Sequence, residues 1–165
     1  MMRLGITGHQ RLAYPDDWPW VQRQLDLFLT QIPAPLFGFT SLAVGANQLF
    51  VEAMLRHGGS FTAIIPFVGY GLKFAEGQDR DAYQRLLAQA AEVEVLQSLA
   101  SNREAYLKAG RQVVNRSEIL LAVWDGKPAA GLGGTADVVA YARQCGKRVR
   151  HFELVERMVE EIGYV

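Results

Sequence analysis

An α/β fold, with a mostly parallel sheet of five to seven strands and helices on both faces, is predicted by three features of the sequence. Short apolar runs alternate with amphipathic stretches five or six times, which is the pattern of strands joined by crossover helices. Most of the runs break at glycine or proline. Half of the 165 residues are hydrophobic, which fits a single domain over residues 1–165 with a sizeable core.

Met1 to Thr7 reads as the first strand, and it stops at Gly8. Asp16 or Asp17 can cap the helix that follows, with Pro19 tolerated in its first turn. Trp20, Val21, Leu25, Phe28, Leu29 and Ile32 recur at helical spacing until Pro33 and Pro35. Leu36 to Val44 is a second apolar run, broken by Gly45-Ala46-Asn47. The helix Gln48 to His57 follows it and stops at Gly58-Gly59. Phe61 to Ile65 is a third strand ended by Pro66, and residues 67–78 form a loop without a clear period. Asp79 to Ala91 reads as helix and Val93 to Leu96 as a short strand. Ser101 or Asn102 then caps a helix running to about Arg116. Ile119 to Trp124 is the most apolar strand. It leads through Asp125-Gly126 and a glycine-rich stretch to a helix beginning at Thr135, and Lys147 to Glu153 is a last strand. Apolar residues at 154, 155, 158 and 162 predict a short closing helix.

Seventeen Lys and Arg balance seventeen Asp and Glu, and no run of like charge stands out, which disfavours nucleic acid as a partner. The single Cys145 cannot form an intramolecular disulfide and is expected to be a small buried hydrophobe near a helix end. No signal peptide and no run of about 20 apolar residues is visible, so a cytoplasmic protein with no membrane partner is expected. No metal spacing joins His9, His57, His151 and Cys145, and no nucleophile elbow occurs; no cofactor is identified beyond the ligand considered next.

In a parallel sheet with right-handed crossovers, every strand-to-helix loop lies on one edge. The breaks at Gly8 to Arg11, Gly45 to Asn47, Pro66 to Gln78 and Asp125 to Thr135 are all such loops. Gly131, Gly133 and Gly134 allow close backbone approach, and the helix starting at Thr135 supplies free amides and a positive dipole end. Together these suit a phosphate, hence a nucleotide. His9, Arg11, Trp124 and Asp125 can contact such a ligand, although a solvated side chain, a surface ion pair, core packing and a plain turn are their respective alternatives.

The motifs GITGHQRL, SLAVGANQLF, IIPF and NREAYLKAGRQVVNRSEILLAVWDGKPAAGLGGTADVVAYA resemble, in that order, the SLOG superfamily of Rossmann-like nucleotide-binding domains. Lonely guy phosphoribohydrolases, molybdenum-cofactor carrier proteins and the DNA-processing protein belong to that superfamily. The resemblance implies a three-layer Rossmann-like sandwich, a small-molecule nucleotide ligand and a homo-dimer or higher oligomer. It also implies ligand contacts at Gly8, His9, Gln10 and Arg11, at Ala43, Gly45, Ala46 and Asn47, at Pro66, at Arg111 and Asn115, at Trp124 and Asp125, and at Gly131, Gly133, Gly134 and Thr135. Tyr106, on the same helix as Arg111 and Asn115 but about 140° away, is a lesser candidate. The chain departs from the hydrolase pattern where a glutamate is expected three residues after Thr135. Val138 stands there, and Asp137 lies one residue earlier, rotated by about 100°. Binding as a sensor or carrier is therefore the leading expectation, and N-glycosidic hydrolysis using Asp137 or Asp125 is the alternative.

Overall fold

The computed structural model describes residues 1–97, 101–128 and 133–163. The elements are β1 (Met2–Gly8), α1 (Asp17–Thr30), β2 (Leu36–Thr40), α2 (Ala46–Arg56), β3 (Ser60–Ile65), a 3-10 helix (Tyr70–Lys73) and α3 (Gln78–Leu87). They continue as β4 (Glu92–Val95), α4 (Asn102–Arg116), β5 (Ile119–Trp124), α5 (Thr135–Gln144), β6 (Arg148–Glu153) and β7 (Met158–Ile162). All seven strands form one sheet in the order β4-β3-β2-β1-β5-β6-β7, parallel throughout except for the antiparallel β7. The expected α/β class is what the chain adopts, and no described helix is long and apolar enough to cross a membrane.

Alternation along β5 shows how the layers divide. Ile119, Leu121 and Val123 face a core built with Trp20, Leu25 and Phe28 of α1, Phe50 and Met54 of α2, and Tyr83 and Leu86 of α3. Leu120 and Ala122 face the other core, with Ala109, Val113 and Val114 of α4 and Val138, Val139 and Ala142 of α5. Such double-sided burial is why β5 reads as an unbroken apolar run. Helices α4 and α5 lie unusually close at Gly110, where an added Cβ would stand 2.6 Å from Val138 Cγ2.

The residues after β6 differ from expectation. Residues 154–162 form no helix but a turn and the strand β7. The Glu153 carboxylate accepts from the amides of Val155 and Glu156, and Arg157 turns through a positive φ of 52°. Register then pairs Glu153 with Met158 and Val149 with Ile162, and Arg148 bonds Glu161 across the two strands. The turn is anchored to α1, because the Arg157 guanidinium donates to the buried Asp17 carboxylate. Strand β2 is likewise shorter than predicted. The Thr40 hydroxyl accepts from the Leu42 amide and ends the ladder there. Cys145 is exposed, not buried: it follows the last turn of α5, beyond the face that Ala142 presents to the core.

Residues 67–78 are more structured than predicted. Their 3-10 turn places Tyr70 at the centre of a ring cluster with Phe67, Phe74, Tyr83 and Tyr106, at centroid distances from 5.1 to 6.3 Å. Arg80 clamps the segment by donating to the carbonyls of Leu72 and Phe74.

An alanine at position 110 gains about 1 kcal/mol in helix propensity but overpacks the α4–α5 contact, at a cost of about 1–3 kcal/mol. Gly110→Ala is therefore expected to destabilise the fold in urea denaturation. Adding Val138→Ala should make the pair less destabilising than the sum of the single changes; strict additivity would contradict the close contact.

Candidate functional site

Helix α1 leaves β1 on one face of the sheet and α5 leaves β5 on the other, so the loops above this neighbouring pair diverge. In open α/β sheets such a split at the C-terminal edge is where ligands bind. Here the split is spanned by residue 9. The His9 amide donates to the Val123 carbonyl at 3.1 Å, and the His9 carbonyl accepts from the Ala46 amide at 3.2 Å. Three loops, after β1, β2 and β5, are thereby joined.

Glycine is required twice in that junction. A Cβ on Gly8 would lie 2.5 Å from Ala46 Cβ and 2.9 Å from Val123 Cβ. Gly45 has a φ of 87°, and a Cβ there would lie 2.6 Å from the carbonyl oxygens of both His9 and Gln10. These two glycines thus let loop approach loop. Gly133 has a φ of 85° and packs on the first turns of α4, against Arg103, Tyr106 and Leu107. Gly134 is the N-cap of α5 and Thr135 its first residue. Gly131 lies outside the described residues.

The His9 and Asp125 side chains meet across the split. His9 Nε2 is 3.2 Å from the Asp125 amide nitrogen and 3.3 Å from Asp125 Oδ1. One ring nitrogen cannot serve both: deprotonated it accepts from the amide, protonated it donates to the carboxylate. Asp125 Oδ1 also accepts from the Lys127 amide at 3.0 Å. Burial alone would raise the Asp125 carboxyl, but the Lys127 amide together with the charge and hydrogen bond of His9 outweighs it. The group is held below the usual carboxylate range. Asp137, the other candidate carboxylate, accepts from the Gly133 amide at 2.9 Å and so braces the glycine loop.

The remaining predicted residues divide into two groups. Gln10 and Arg11 are exposed at this edge, Arg11 in an ion pair of 2.8 Å with Asp79 at the start of α3. Ala43 is half-buried there, whereas Pro66, Ala46 and Asn47 are buried. Asn47 Oδ1 accepts from the Thr40 hydroxyl, so its amide shapes the second loop from within. Trp124 packs at 5.2 Å, tilted by 40°, against the buried His151 and donates its indole N–H to the Lys127 carbonyl, which commits the ring to internal packing. Arg111 and Asn115 are not brought to the split. They lie along the outer side of α4, where Arg111 covers the Tyr141 ring at 5.1 Å and Asn115 accepts from the Tyr141 hydroxyl. Asn115 is at the opposite edge of the sheet, lining with Arg3, Phe37 and Arg116 a concave space of about 370 Å³.

Sequence reasoning gave little weight to the aromatic wall. Phe67 and Tyr106 stand 5.8 Å apart, and Tyr106 adjoins Gly133. Burial pushes the Tyr70 hydroxyl up, against a smaller lowering by its hydrogen bond to Ser41. The spacing of Phe67, Tyr70 and Phe74 at three and four residues was the available signal for this turn. Among the described residues, no group of three or more His, Cys, Asp or Glu is placed to hold a metal ion.

No protein-family model and no curated protein matches the chain. Solved structures do. DNA processing protein A from Streptococcus pneumoniae aligns with a TM-score of 0.64 at 15% identity, over 91% of this chain and 50% of its own. The protein of that name from Helicobacter pylori gives 0.64 and 15%, over 91% and 64%. The molybdenum cofactor carrier protein from Chlamydomonas reinhardtii gives 0.52 and 16%, over 91% and 75%. The fold is the one seen in these DNA-processing and cofactor-carrier structures. At such identities the likeness is one of fold, and the chain spans only 50% and 64% of the two DNA-processing chains.

The expectation that disfavoured nucleic acid is corrected by these matches, since the Helicobacter pylori structure concerns a single-stranded DNA binding mode. Whole-chain neutrality was the wrong measure. Residues 103–150 carry nine Lys and Arg against four Asp and Glu, and the rest of the chain carries the opposite excess.

Because the Asp125 carboxyl is lowered on folding, its contribution to stability is present above the ordinary range near pH 4 and is lost as the pH falls through the lowered value. Asp125→Asn should lower stability at about pH 7, and the deficit should shrink below about pH 4 in urea titrations. A deficit that does not change with pH contradicts the assigned His9 and Lys127 contacts.

Proposed function

We propose that the C-terminal edge, at the split between β1 and β5, binds a nucleotide or nucleotide-derived phosphorylated ligand, and that the domain acts as a ligand sensor or carrier. The observation that carries this reading is the junction at His9, which holds three strand-to-helix loops together beside the start of α5. The first amides of a helix have no partner within it and, with the dipole, favour a phosphate at Gly134 and Thr135. Gln10, Arg11 and the half-buried Ala43 and Gly45 border the same opening and are assigned to sugar or base. Likeness in fold to a cofactor carrier supports the carrier role.

N-glycosidic hydrolysis is the second reading, favoured by one observation: Asp125 is an ionised carboxylate beside a histidine at the split. In that reaction Asp125 would take a proton from water as its oxygen bonds the anomeric carbon, while the base departs with the electrons of the C–N bond. Asp137 is less suited, because its carboxylate is bound to the Gly133 amide.

A thermal-shift screen of mononucleotides, cyclic dinucleotides and dinucleotide cofactors tests the binding reading. A ligand at about 100 times its Kd should add about 2.7 kcal/mol of stability. Gly134→Asp supplies a favourable N-cap residue, so it should retain the fold while its charge abolishes the shift. No shift by any phosphorylated compound, or a shift undiminished in Gly134→Asp, would refute the site. Release of free base from a mononucleotide, lost in Asp125→Asn, would establish the hydrolytic reading.

A further inference from the structure

The basic excess of residues 103–150 is concentrated where acidic side chains are already engaged elsewhere. Glu104 closes a capping box with Ser101, and Asp137 binds the Gly133 amide, so both carboxylates sit at helix N-termini. Glu118 pairs with Arg3 and Asp125 with His9. Arg116 at the end of α4 pairs with Glu94 and Glu92, but three cations along the outer side of α4 and after α5 have no carboxylate. Lys108 Nζ donates to the Gln97 carbonyl, Arg111 lies over the Tyr141 ring, and Lys147 Nζ donates to the carbonyls of Ser117 and Asn115. Among the described residues none of these three cations belongs to an ion pair. On the opposite face, Arg11, Arg56, Arg80, Arg85 and Arg157 are each paired with Asp or Glu.

Contacts join these groups into one strip. Lys108 is one turn from Arg111; Arg111 covers Tyr141; Tyr141 bonds Asn115 at 2.8 Å; and the Asn115 carbonyl is 3.5 Å from Lys147 Nζ. Lys108, Arg111 and Asn115 are exposed. We infer that this strip on the outer side of α4 and α5 is a second binding surface, separate from the split at β1 and β5, and that its partner is single-stranded nucleic acid. The three cations meet the spaced charges of a phosphodiester backbone, and a guanidinium can bond phosphate through two N–H groups. The Tyr141 ring and the Arg111 plane offer the stacking surface that unpaired bases use and that an acidic peptide does not need.

Fluorescence anisotropy with a labelled oligothymidylate at about 50 mM salt and above tests the surface. The double reversal K108E/R111E should weaken binding at least tenfold and flatten the salt dependence by about 0.7 in log–log slope per cation. R23E reverses an exposed cation on α1, on the other face, and should change neither. Y141A keeps the charges and should weaken binding several-fold with the salt slope unchanged. The melting temperature of each variant checks its fold, and K108E/R111E should retain any mononucleotide shift. No binding by the unaltered protein, no loss in K108E/R111E, or an equal loss in R23E overturns the inference. Polyglutamate binding as tight as the oligonucleotide, with no effect of Y141A, also overturns it in favour of an acidic protein partner.

Discussion

His9 donates its amide to the carbonyl of Val123 and accepts through its own carbonyl from Ala46, so the end of β1 is bonded to the end of β5 and to the start of α2. Most of what lies at that edge follows from this arrangement. It needs a residue without a side chain at position 8, because β1 runs between β2 and β5 and its terminus is pressed from both sides. It needs a left-handed residue at 45, where the second loop turns under the carbonyls of the first. Side-chain contacts then extend the backbone junction: Asp125 meets His9, and Arg11 reaches Asp79. The floor of the candidate site is thus one hydrogen-bonded unit, although its parts come from three distant stretches of chain.

The helical layers differ in how they handle charge. The layer formed by α1, α2 and α3 uses its arginines in cross-element ion pairs, such as Arg56 with Asp26 and Arg85 with Glu52. Exposed pairs of this kind contribute little stability, typically less than about 1 kcal/mol each. Their larger effect is to leave that face close to neutral. The layer of α4 and α5 places its carboxylates on helix N-terminal amides, where they complement the dipole; Arg116 pairs with Glu94, while Lys108, Arg111 and Lys147 have carbonyl or ring partners. Overall neutrality and a positive surface therefore coexist in one small domain.

The sequence was most legible where burial was two-sided or where glycine was sterically required. The apolar run of β5, the break at Gly8 and the glycine before α5 could all be read directly. Legibility failed where the deciding partner was remote. Nothing local distinguishes residues 158–162 from a helix; pairing with β6 and the anchoring of Arg157 on Asp17, 140 residues away, make them a strand. Asn47 looked like a ligand residue because the resemblance places a ligand contact after the Gly45-Ala46 pair, yet Thr40 bonds its side chain. Arg111 and Asn115 share a helix with Tyr106, but they face outward and toward the other edge, while Tyr106 reaches the glycine loop.

The aromatic turn at residues 67–78 also bears on energetics. A loop of this length without internal packing would have to surrender about 1–2 kcal/mol of backbone entropy per residue on closing over a ligand. Here Tyr70 is enclosed by four rings, and Arg80 holds the carbonyls of Leu72 and Phe74. That entropy is surrendered during folding, so a ligand meets a wall already in place. The ligand binding proposed for this edge would accordingly show a small heat-capacity change and fast association, as for a rigid receptor rather than one that closes around its guest.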